Sequence, residues 1–332
     1  MTRPALNAEV FALDCEAETA RIGAFFLDTL RRLNKRGVVL GLSGGVDSSV
    51  CAALAVRALG PQRVFGLLMP ERDSSQTSAS LGAEVARQLG IEHAVEDIAP
   101  ALDAIGCYRW RDEAVRTVLP DYTPEWKIKL AISGGLAGGI NHFKLIAQAP
   151  DGTLTESRLP LRAYLQIVAA TNHKQRLRKT LEYFHADRLN YAVIGTPNRL
   201  EYDQGFFVKN GDGSADLKPI AHLYKTQVYA LARHLGLPEA VCNAAPTTDT
   251  YSLPQGQDEF YFALPWPQMD LVLWARNHGH SDAELAQALG ITPQAAAAVL
   301  GDIDAKRRTT RYLHAQPALV EAVFNPPAEN TV

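Results

Sequence analysis

A short run of glycine, serine and aspartate behind an apolar segment constrains the fold of this chain more than any other feature. Residues 40–49 read LGLSGGVDSS and follow the β-branched run GVV at residues 37–39. Glycine lets a ligand approach the main chain closely, whereas serine and aspartate favour the beginning of a helix. A strand, a glycine turn and a helix N-terminus form an anion site that most often holds phosphate. The stretch therefore predicts a phosphate-binding turn between a buried strand and a helix.

Alternation of strands and helices continues along the chain and predicts the architecture. The predicted strands span residues 37–43, 63–70, 92–98 and 191–196, and the predicted helices span residues 14–35, 47–60, 75–90, 172–189 and 224–236. Several of the helices end at a glycine, the usual C-terminal stop. Strands that alternate with helices pair in parallel, and their crossovers cover both faces of the sheet. We expect an α/β fold with a doubly wound parallel sheet.

The middle of the chain departs from this rhythm. Residues 100–170 contain a predicted hairpin around Asp151-Gly152. The run ISGGLAGG at residues 132–139 has paired glycines but no aspartate or serine after them, so it predicts a loop and not a second phosphate site.

Composition excludes several classes of protein. A formal net charge of −3 over 332 residues gives no electrostatic reason to expect a nucleic-acid or membrane partner. The four cysteines, at positions 15, 51, 107 and 242, show no paired spacing, which argues against a zinc site and against a disulfide framework. The N-terminus has no apolar signal core, and no stretch approaches the about 18 apolar residues of a membrane span. We therefore expect a cytoplasmic protein.

The run SGGVDSS at residues 43–49 resembles the phosphate loop of the ATP-pyrophosphatase superfamily. It is not the Walker pattern, because no lysine follows the glycines. The resemblance implies a sheet of the adenine nucleotide alpha hydrolase-like (Rossmann-like) type and attack on the α-phosphate of ATP with pyrophosphate as the leaving group. Gly44 and Gly45 would expose N–H donors to phosphate, and Asp47 would supply a carboxylate suited to Mg²⁺.

The second half of the chain is similar to NAD synthetases. The runs that carry this similarity are NHKQRLRKTLEYFHADRLNYAVIGT from residue 172, GFFVKNGDGSADLKPI at residues 205–220 and PTTD at residues 246–249. NAD synthetases amidate nicotinic acid adenine dinucleotide (deamido-NAD) through an acyl-adenylate, with ammonia as the nucleophile and AMP and pyrophosphate as by-products. The resemblance implies ATP as co-substrate, Mg²⁺ as cofactor and no side chain that acts as a covalent nucleophile.

Matched position by position, the resemblance implies three groups of site residues. Those expected to bind ATP are Gly41, Leu42, Ser43, Gly44, Gly45, Val46, Asp47, Ser48, Thr196, Lys225 and Thr247. Those expected to bind deamido-NAD are Arg176, Lys209, Asp216 and Lys306. The expected metal ligands are Asp47 and Glu201.

The resemblance also implies an organisation and a set of partners. We expect an N-terminal helix in residues 1–36, the ATP-pyrophosphatase domain in residues 37–260 with an atypical insertion at 100–171, and a helical C-terminal extension in residues 261–332. The family is dimeric, which predicts a homodimer. Residues 1–36 are too few for a fused glutamine amidase, so we expect free ammonia or ammonia from a separate glutaminase.

Three departures from the family leave alternatives open. They concern the part of the site that is expected to bind the carboxylic acid, and not the part that is expected to bind ATP. They are the long insertion, Ala305 where the family often has histidine before Lys306, and an unusual approach to the acidic residues Asp258 and Glu259. One alternative is a related amide synthetase that acts on another carboxylic acid in a specialised pathway.

A third possibility is a DNA-binding role. Residues 281–313 resemble a helix-turn-helix whose second helix is followed by the basic residues Lys306, Arg307, Arg308 and Arg311. The would-be recognition helix offers Gln294 as its one side chain able to read a base edge, which makes nucleic-acid binding the weaker interpretation.

Overall fold

Four parallel strands form the centre of the molecule in the order β3–β2–β1–β7. They are β1 (Val38–Gly41), β2 (Val64–Leu68), β3 (Glu92–Val95) and β7 (Ala192–Val193). Val38 of β1 lies between Val64 of β2 and Ala192 of β7, which fixes the register. The structure is a computed structural model and describes residues 5–133, 142–247, 250–257, 261–262, 264–321 and 323.

Helices surround this sheet and extend beyond it. They are α1 (Cys15–Arg32), α2 (Val46–Leu59), α3 (Gln76–Leu89), α4 (Ala99–Ala104), α5 (Cys107–Arg116), α6 (Leu161–Leu189), α7 (Arg199–Gln204), α8 (Lys225–His234), α9 (Glu239–Cys242), α10 (Trp266–Asn277), α11 (Asp282–Leu289) and α12 (Pro293–His314). Short 3-10 helices lie at Ala8–Phe11 and Pro61–Arg63. None of the helices in the described ranges is both long and apolar enough to cross a bilayer.

Both faces of the central sheet are buried, as a doubly wound fold requires. Successive side chains of a strand point to opposite faces, and β1 uses both of its faces for packing. Val38 and Leu40 pack into a hydrophobic cluster with residues of α1, α2 and α8. Val39 packs on the opposite side, in a cluster with residues of α4, α5 and α6. The predicted α/β doubly wound class is confirmed.

The strand order creates a crevice at the carboxyl end of β1. The chain proceeds from β1 through β2 to β3 on one side and later adds β7 on the other side of β1. Loops that leave β1 and β7 therefore diverge at this point, which is where open α/β sheets bind ligands. The glycine-rich turn after β1 and Thr196 after β7 both lie here.

A second, antiparallel sheet occupies much of the region that departs from the α/β rhythm. It consists of β4 (Lys127–Ser133), β5 (His142–Gln148) and β6 (Leu154–Arg158) in that order. The predicted hairpin is confirmed: Gly152 has φ +90°, and Asp151 Oδ1 accepts a hydrogen bond of 2.9 Å from the N–H of Thr153. The predicted loop at 132–139 lies mostly outside the described residues, and its first two residues belong to β4.

The outer edge of β4 is closed by residues 252–255. The N–H of Ile128 donates to Ser252 Oγ at 2.9 Å, and Ile128 O accepts from the N–H of Leu253 at 3.1 Å. Further along, Gln255 Nε2 donates to Leu130 O. The added sheet is thereby joined to the chain segment that precedes the C-terminal helices.

The long helix α6 begins at Leu161, eleven residues before the predicted start at 172. Its first part contains β-branched residues that are weak helix formers, so local propensity does not predict a helix there. Ala163, Ile167 and Ala170 recur on one helical face and are buried. Tertiary packing of this face stabilises the extra turns.

Helix α8 receives its N-terminal cap from a different helix. Both carboxylate oxygens of Asp270 in α10 are used: Oδ1 accepts from the N–H of Lys225 at 3.2 Å, and Oδ2 accepts from the N–H of Thr226 at 2.7 Å and from its hydroxyl at 2.8 Å. Burial raises the pKa of this carboxyl to about 6. The C-terminal helices thus hold the beginning of α8, where Lys225 lies.

Candidate active site

A cavity of 1230 Å³ opens at the carboxyl end of the central sheet. This exceeds the about 300–1,000 Å³ typical of a pocket for one small ligand, so it offers room for two substrates. Of the residues predicted to bind ATP, deamido-NAD or metal, all but Asp216 line it: Gly41, Leu42, Ser43, Gly44, Gly45, Val46, Asp47, Ser48, Arg176, Thr196, Glu201, Lys209, Lys225, Thr247 and Lys306. Residues far apart in sequence are therefore brought to one place.

The phosphate loop connects β1 to α2 and leaves the beginning of α2 open. Helix α2 follows Gly45, and no side chain caps its N-terminus. The first N–H groups of the helix can donate hydrogen bonds to an anion, and the helix dipole favours its negative charge. Ser48 Oγ lies 3.2 Å from Ser43 Oγ and 3.1 Å from Gly45 O, which ties the two ends of the loop together.

Gly44 is required by the close packing of this loop on α3. Its φ is +78°, a left-handed conformation that favours glycine. A Cβ at this position would lie 2.4 Å from Ser78 O, which is a main-chain atom and cannot rotate away. The glycine therefore lets the loop fold against α3.

Two carboxylates and a lysine meet in the wall of the cavity. Asp47 is in the first turn of α2 and Glu201 is in α7. Lys225, at the beginning of α8, is 2% exposed and forms an ion pair with Asp47 Oδ2. Three helices thus deliver one charged group each to the same point.

The charges of Asp47, Glu201 and Lys225 shift the pKa values of Glu201 and Lys225. Burial and the neighbouring Asp47 raise the pKa of Glu201 to about 7. Burial opposes the charge of Lys225, yet Asp47 and Glu201 hold the pKa of Lys225 above its usual range. Two carboxylates that share one lysine leave an excess of negative charge, which a cation would relieve.

Asp47 and Glu201 fit a magnesium ion. Mg²⁺ is commonly bound through one or two carboxylates together with substrate phosphates. Burial and repulsion from Asp47 raise the pKa of Glu201 even though Lys225 opposes the rise, so one lysine only partly offsets the two carboxylates. Within the described ranges, no group of three or more His, Cys, Asp or Glu side chains is arranged to hold a metal.

Three basic residues, Arg176, Lys209 and Lys306, also line the cavity. Arg176 Nε donates to Lys209 O at 3.3 Å, which links α6 to the loop after α7. Lys209 Nζ donates to Tyr312 O at 2.7 Å, at the end of α12. Lys306 Nζ donates to Asp302 Oδ2 at 2.5 Å, and burial lowers the pKa of Lys306. These contacts join the C-terminal helix to the cavity.

The structure does not bring Asp216 into the cavity. Its Oδ2 accepts a hydrogen bond of 2.7 Å from the N–H of Val193, and its Oδ1 accepts one of 3.4 Å from the hydroxyl of Tyr183. These bonds fix the loop beside β7. Asp258 and Glu259 lie outside the described residues.

Comparison with known proteins adds an independent observation. The sequence profile of the NAD synthase family matches residues 18–119 and 146–312. The chain belongs to the NAD synthase family. A relative named NH(3)-dependent NAD(+) synthetase, from Rhizobium meliloti (strain 1021), is 56% identical over 322 residues, which cover 97% of this chain and 96% of that protein.

Solved structures of low sequence identity share the fold of this NAD synthase family member. The NH3-dependent NAD synthetase from Campylobacter jejuni superposes with a TM-score of 0.62 at 23% identity and covers 93% of this chain and 100% of that one. The NMN synthetase from Francisella tularensis gives a TM-score of 0.65 at 21% identity, over 93% of this chain and 99% of that one. Both similarities show the fold alone.

Two polar residues that the sequence reasoning missed form hydrogen bonds with the carboxylates of Asp47 and Glu201. Asn198 is fully buried; it caps α7 by accepting from the N–H of Glu201 at 3.2 Å and donates to Asp47 Oδ1 at 3.0 Å. Gln257 Nε2 donates to Glu201 Oε1 at 2.8 Å. The signal for Asn198 is present in the sequence: an asparagine three residues before a glutamate is a capping-box pattern.

A buried lysine joins the loop after β2 to two other walls of the cavity. Lys174 in α6 donates from Nζ to Glu71 Oε1 at 2.9 Å, to Asp73 Oδ2 at 2.6 Å and to Thr250 O at 3.0 Å. Arg111 in α5 also pairs with Asp73, at 2.5 Å. Asp73 and Thr250 line the cavity, so this junction fixes the positions of two of its loops.

The glycine at position 44 gives a first test of the loop. We expect Gly44→Ala to lower the free energy of unfolding by about 2 kcal/mol or more, because it combines a left-handed φ with a main-chain clash, and to weaken ATP binding. Gly301→Ala is the matched control, since no atom lies within 4 Å of the added Cβ on α12. That change should stabilise the helix by about 0.5–1 kcal/mol. Urea unfolding and calorimetric titration with ATP measure both effects; equal behaviour of the two variants would contradict the packing described.

The lysine junction gives a second test. We expect Lys174→Met to lower the free energy of unfolding by about 3 kcal/mol or more, because it removes the cation paired with buried Glu71, whereas Asp73 keeps Arg111. The matched control is Lys144→Met, which removes an exposed pair with Glu156 at 2.7 Å and should cost less than about 1 kcal/mol. Urea unfolding of both variants checks this; a similar small loss in each would show that Lys174 carries no buried junction.

Proposed function

We propose that this protein is an ATP-dependent amide ligase that converts deamido-NAD and ammonia to NAD. The carboxylate of deamido-NAD attacks the α-phosphorus of ATP, pyrophosphate leaves, and ammonia then displaces AMP from the acyl-adenylate. In the first step a carboxylate–phosphorus bond forms as the bond from the α-phosphorus to pyrophosphate breaks. In the second step the amide C–N bond forms as the bond from the acyl carbon to AMP breaks, and no redox partner is needed.

One observation carries the proposal: an uncapped helix start, a carboxylate pair and a buried lysine meet in one cavity of a NAD synthase family member. The helix start, the carboxylates and the lysine together suit a nucleoside triphosphate with its metal ion. The high identity to a relative named NH(3)-dependent NAD(+) synthetase supports the same substrates here.

The proposed roles on the ATP side follow from position and charge. The N–H groups at the start of α2 and the hydroxyls of Ser43 and Ser48 hold the phosphates that leave as pyrophosphate. Lys225 exchanges Asp47 for a phosphate oxygen when ATP binds, since lysine is a compact point charge suited to phosphate. Thr196 and Thr247 line the cavity as further ATP contacts. Alignment and electrostatic stabilisation supply the catalysis.

Asp47 and Glu201 are the proposed ligands of Mg²⁺. When bound, the ion neutralises negative charge on the phosphate oxygens as pyrophosphate leaves. Asn198 and Gln257 hold the two carboxylates in place, because each donates a hydrogen bond to one of them.

On the acceptor side, Arg176, Lys209 and Lys306 are proposed to hold the dinucleotide. Arginine can fork across a phosphate or carboxylate, and both lysines lie where their charge reaches the cavity. Asp216 acts through the loop that it fixes beside β7 in this proposal.

A second candidate keeps the adenylation and changes the acid. The NMN synthetase from Francisella tularensis has the same fold, as its TM-score indicates, so the fold alone does not specify the acceptor. Nucleic-acid binding is disfavoured, because Lys306 and Arg307 are engaged with Asp302 and Asp203 of the same chain.

Assembly and location complete the proposal. A homodimer is supported by Leu161 and Leu165, which are exposed one turn apart on α6, and a molar mass of about twice 36.2 kDa in light scattering checks it. A monomer at working concentrations would contradict it. The four thiols are free, which supports a reducing compartment such as the cytoplasm, and ammonia would arrive free or from a separate glutaminase.

The decisive experiment is one assay with paired variants. We expect purified protein with ATP, Mg²⁺, ammonium and deamido-NAD to form NAD, AMP and pyrophosphate in equal amounts. Asp47→Asn and Glu201→Gln should lower turnover by about 100-fold or more, because each removes a charge that acts on the reacting phosphates. Chromatography of the nucleotides measures the products.

The controls separate chemistry from folding. Asp103→Asn and Glu113→Gln change exposed carboxyl groups away from the cavity and should retain native turnover. Thermal unfolding should remain cooperative in all four variants. ADP and orthophosphate as products would contradict the mechanism, whereas AMP formation that depends on another acid would support the second candidate.

A further inference from the structure

Two aromatic side chains from the added sheet region form one wall of the cavity. Phe143 of β5 and Tyr164 of α6 stack with ring centroids 3.7 Å apart and an interplanar angle of 13°. Both rings are partly exposed and line the same cavity as the phosphate loop. Phe143 lies in the stretch 120–145 that the family profile leaves unmatched.

Tyr164 packs against the core of the added sheet, and part of its ring stays exposed at the cavity. Phe143 lies on the same face of β5 as Leu145 and Ala147, because every second side chain of a strand points to the same side. Leu145 and Ala147 are fully buried in the core of the added sheet. Phe143 is the member of this row that keeps part of its surface open at the cavity. Partly exposed aromatic rings that line this cavity suit a flat ligand ring, because each nucleobase presents a π-face.

The position of Tyr164 along α6 indicates which ring of a ligand the aromatic pair would bind. Glu182 lies against the phosphate loop, 3.1 Å from the position of a Cβ on Gly41. Tyr164 is about 27 Å from Glu182 along the helix axis, at 1.5 Å per residue. The aromatic pair therefore lies far from the triphosphate of a bound ATP.

The residues between these points form a continuous path along one face of α6. Tyr164, Val168, Asn172 and Arg176 follow one another at four-residue spacing, and all line the cavity. A ligand that contacts both ends of this path must be elongated. Deamido-NAD is elongated, and its reacting carboxylate must lie near the α-phosphorus of ATP, so its adenine is the ring at the remote end.

We propose that Phe143 and Tyr164 bind the adenine ring of deamido-NAD and select the dinucleotide over a mononucleotide acceptor. The inference rests on the proposed function and adds a determinant of specificity, with one ring from β5 of the added sheet and the other from α6. Stacking on an aromatic side chain contributes about 1–3 kcal/mol per base, which corresponds to about 5- to 150-fold in affinity.

Steady-state kinetics of Phe143→Leu and Tyr164→Leu test the proposal. The KM for deamido-NAD should rise about 5-fold or more in each, with the KM for ATP unchanged. Tyr164→Phe, which keeps the ring, should recover most of the affinity lost in Tyr164→Leu. Phe184→Leu is the control, since Phe184 is an exposed aromatic residue on the same helix and does not line the cavity.

Binding measurements on the native protein keep the proposal testable if the leucine variants fold poorly. Calorimetry should give tighter binding of deamido-NAD than of nicotinic acid mononucleotide, which lacks the adenine, by a similar factor. Equal affinities, or leucine variants with native KM for deamido-NAD, would overturn it. A rise in the KM for ATP alone would also overturn it. Native protein that makes no NAD would instead defeat the proposed function.

Discussion

A buried ion pair between Lys225 and Asp47 is the constraint on which the site depends. Lys225 is almost completely buried, and removal of one member of such a pair costs about 3–5 kcal/mol, because the other charge is left without compensation. The pair joins the first turn of α2 to the first turn of α8 and so fixes the phosphate loop relative to the C-terminal half of the chain. Asp270 then holds α8 from outside, and Asn198 holds Asp47 from the side of α7. The helices around the crevice are arranged so that these charges meet.

The N-termini of α2 and α7 place N–H groups and side chains at the cavity. Helix α2 lacks a side-chain cap and leaves its N–H groups for a ligand, whereas α7 has a complete capping box whose glutamate is also a proposed metal ligand. In α7, the side chain of Glu201 therefore both satisfies a helix end and lines the cavity. Because Asn198 caps α7 and also bonds to Asp47, the end of α7 and the geometry of the carboxylate pair are coupled.

Much of the fold, and the turn between β1 and α2, was predictable from the sequence, because local patterns determine both. The strand before Gly44, the helix after it and the glycine stops are signals within a few residues of each other. The added sheet was predictable only at its Asp151-Gly152 turn, since the pairing of β4 with β5 depends on contacts across the chain. The start of α6 was missed because burial of Ala163 and Ile167, and not propensity, sustains that part of the helix. Lys174 gave no local signal, since its partners at positions 71, 73 and 250 are distant in sequence.

Closure of the outer edge of β4 by residues 252–255 has a consequence for association between molecules. An unpaired strand edge is a template on which other chains can add strands and aggregate. In the added sheet, the hydrogen-bonding groups of Ile128 and Leu130 are already engaged, so β6 is left as the edge that faces outward. That strand is short and carries Glu156 and Arg158, charges that discourage edge-to-edge growth. One border of this sheet is therefore covered and the other is charged, and both features oppose the addition of strands from other molecules.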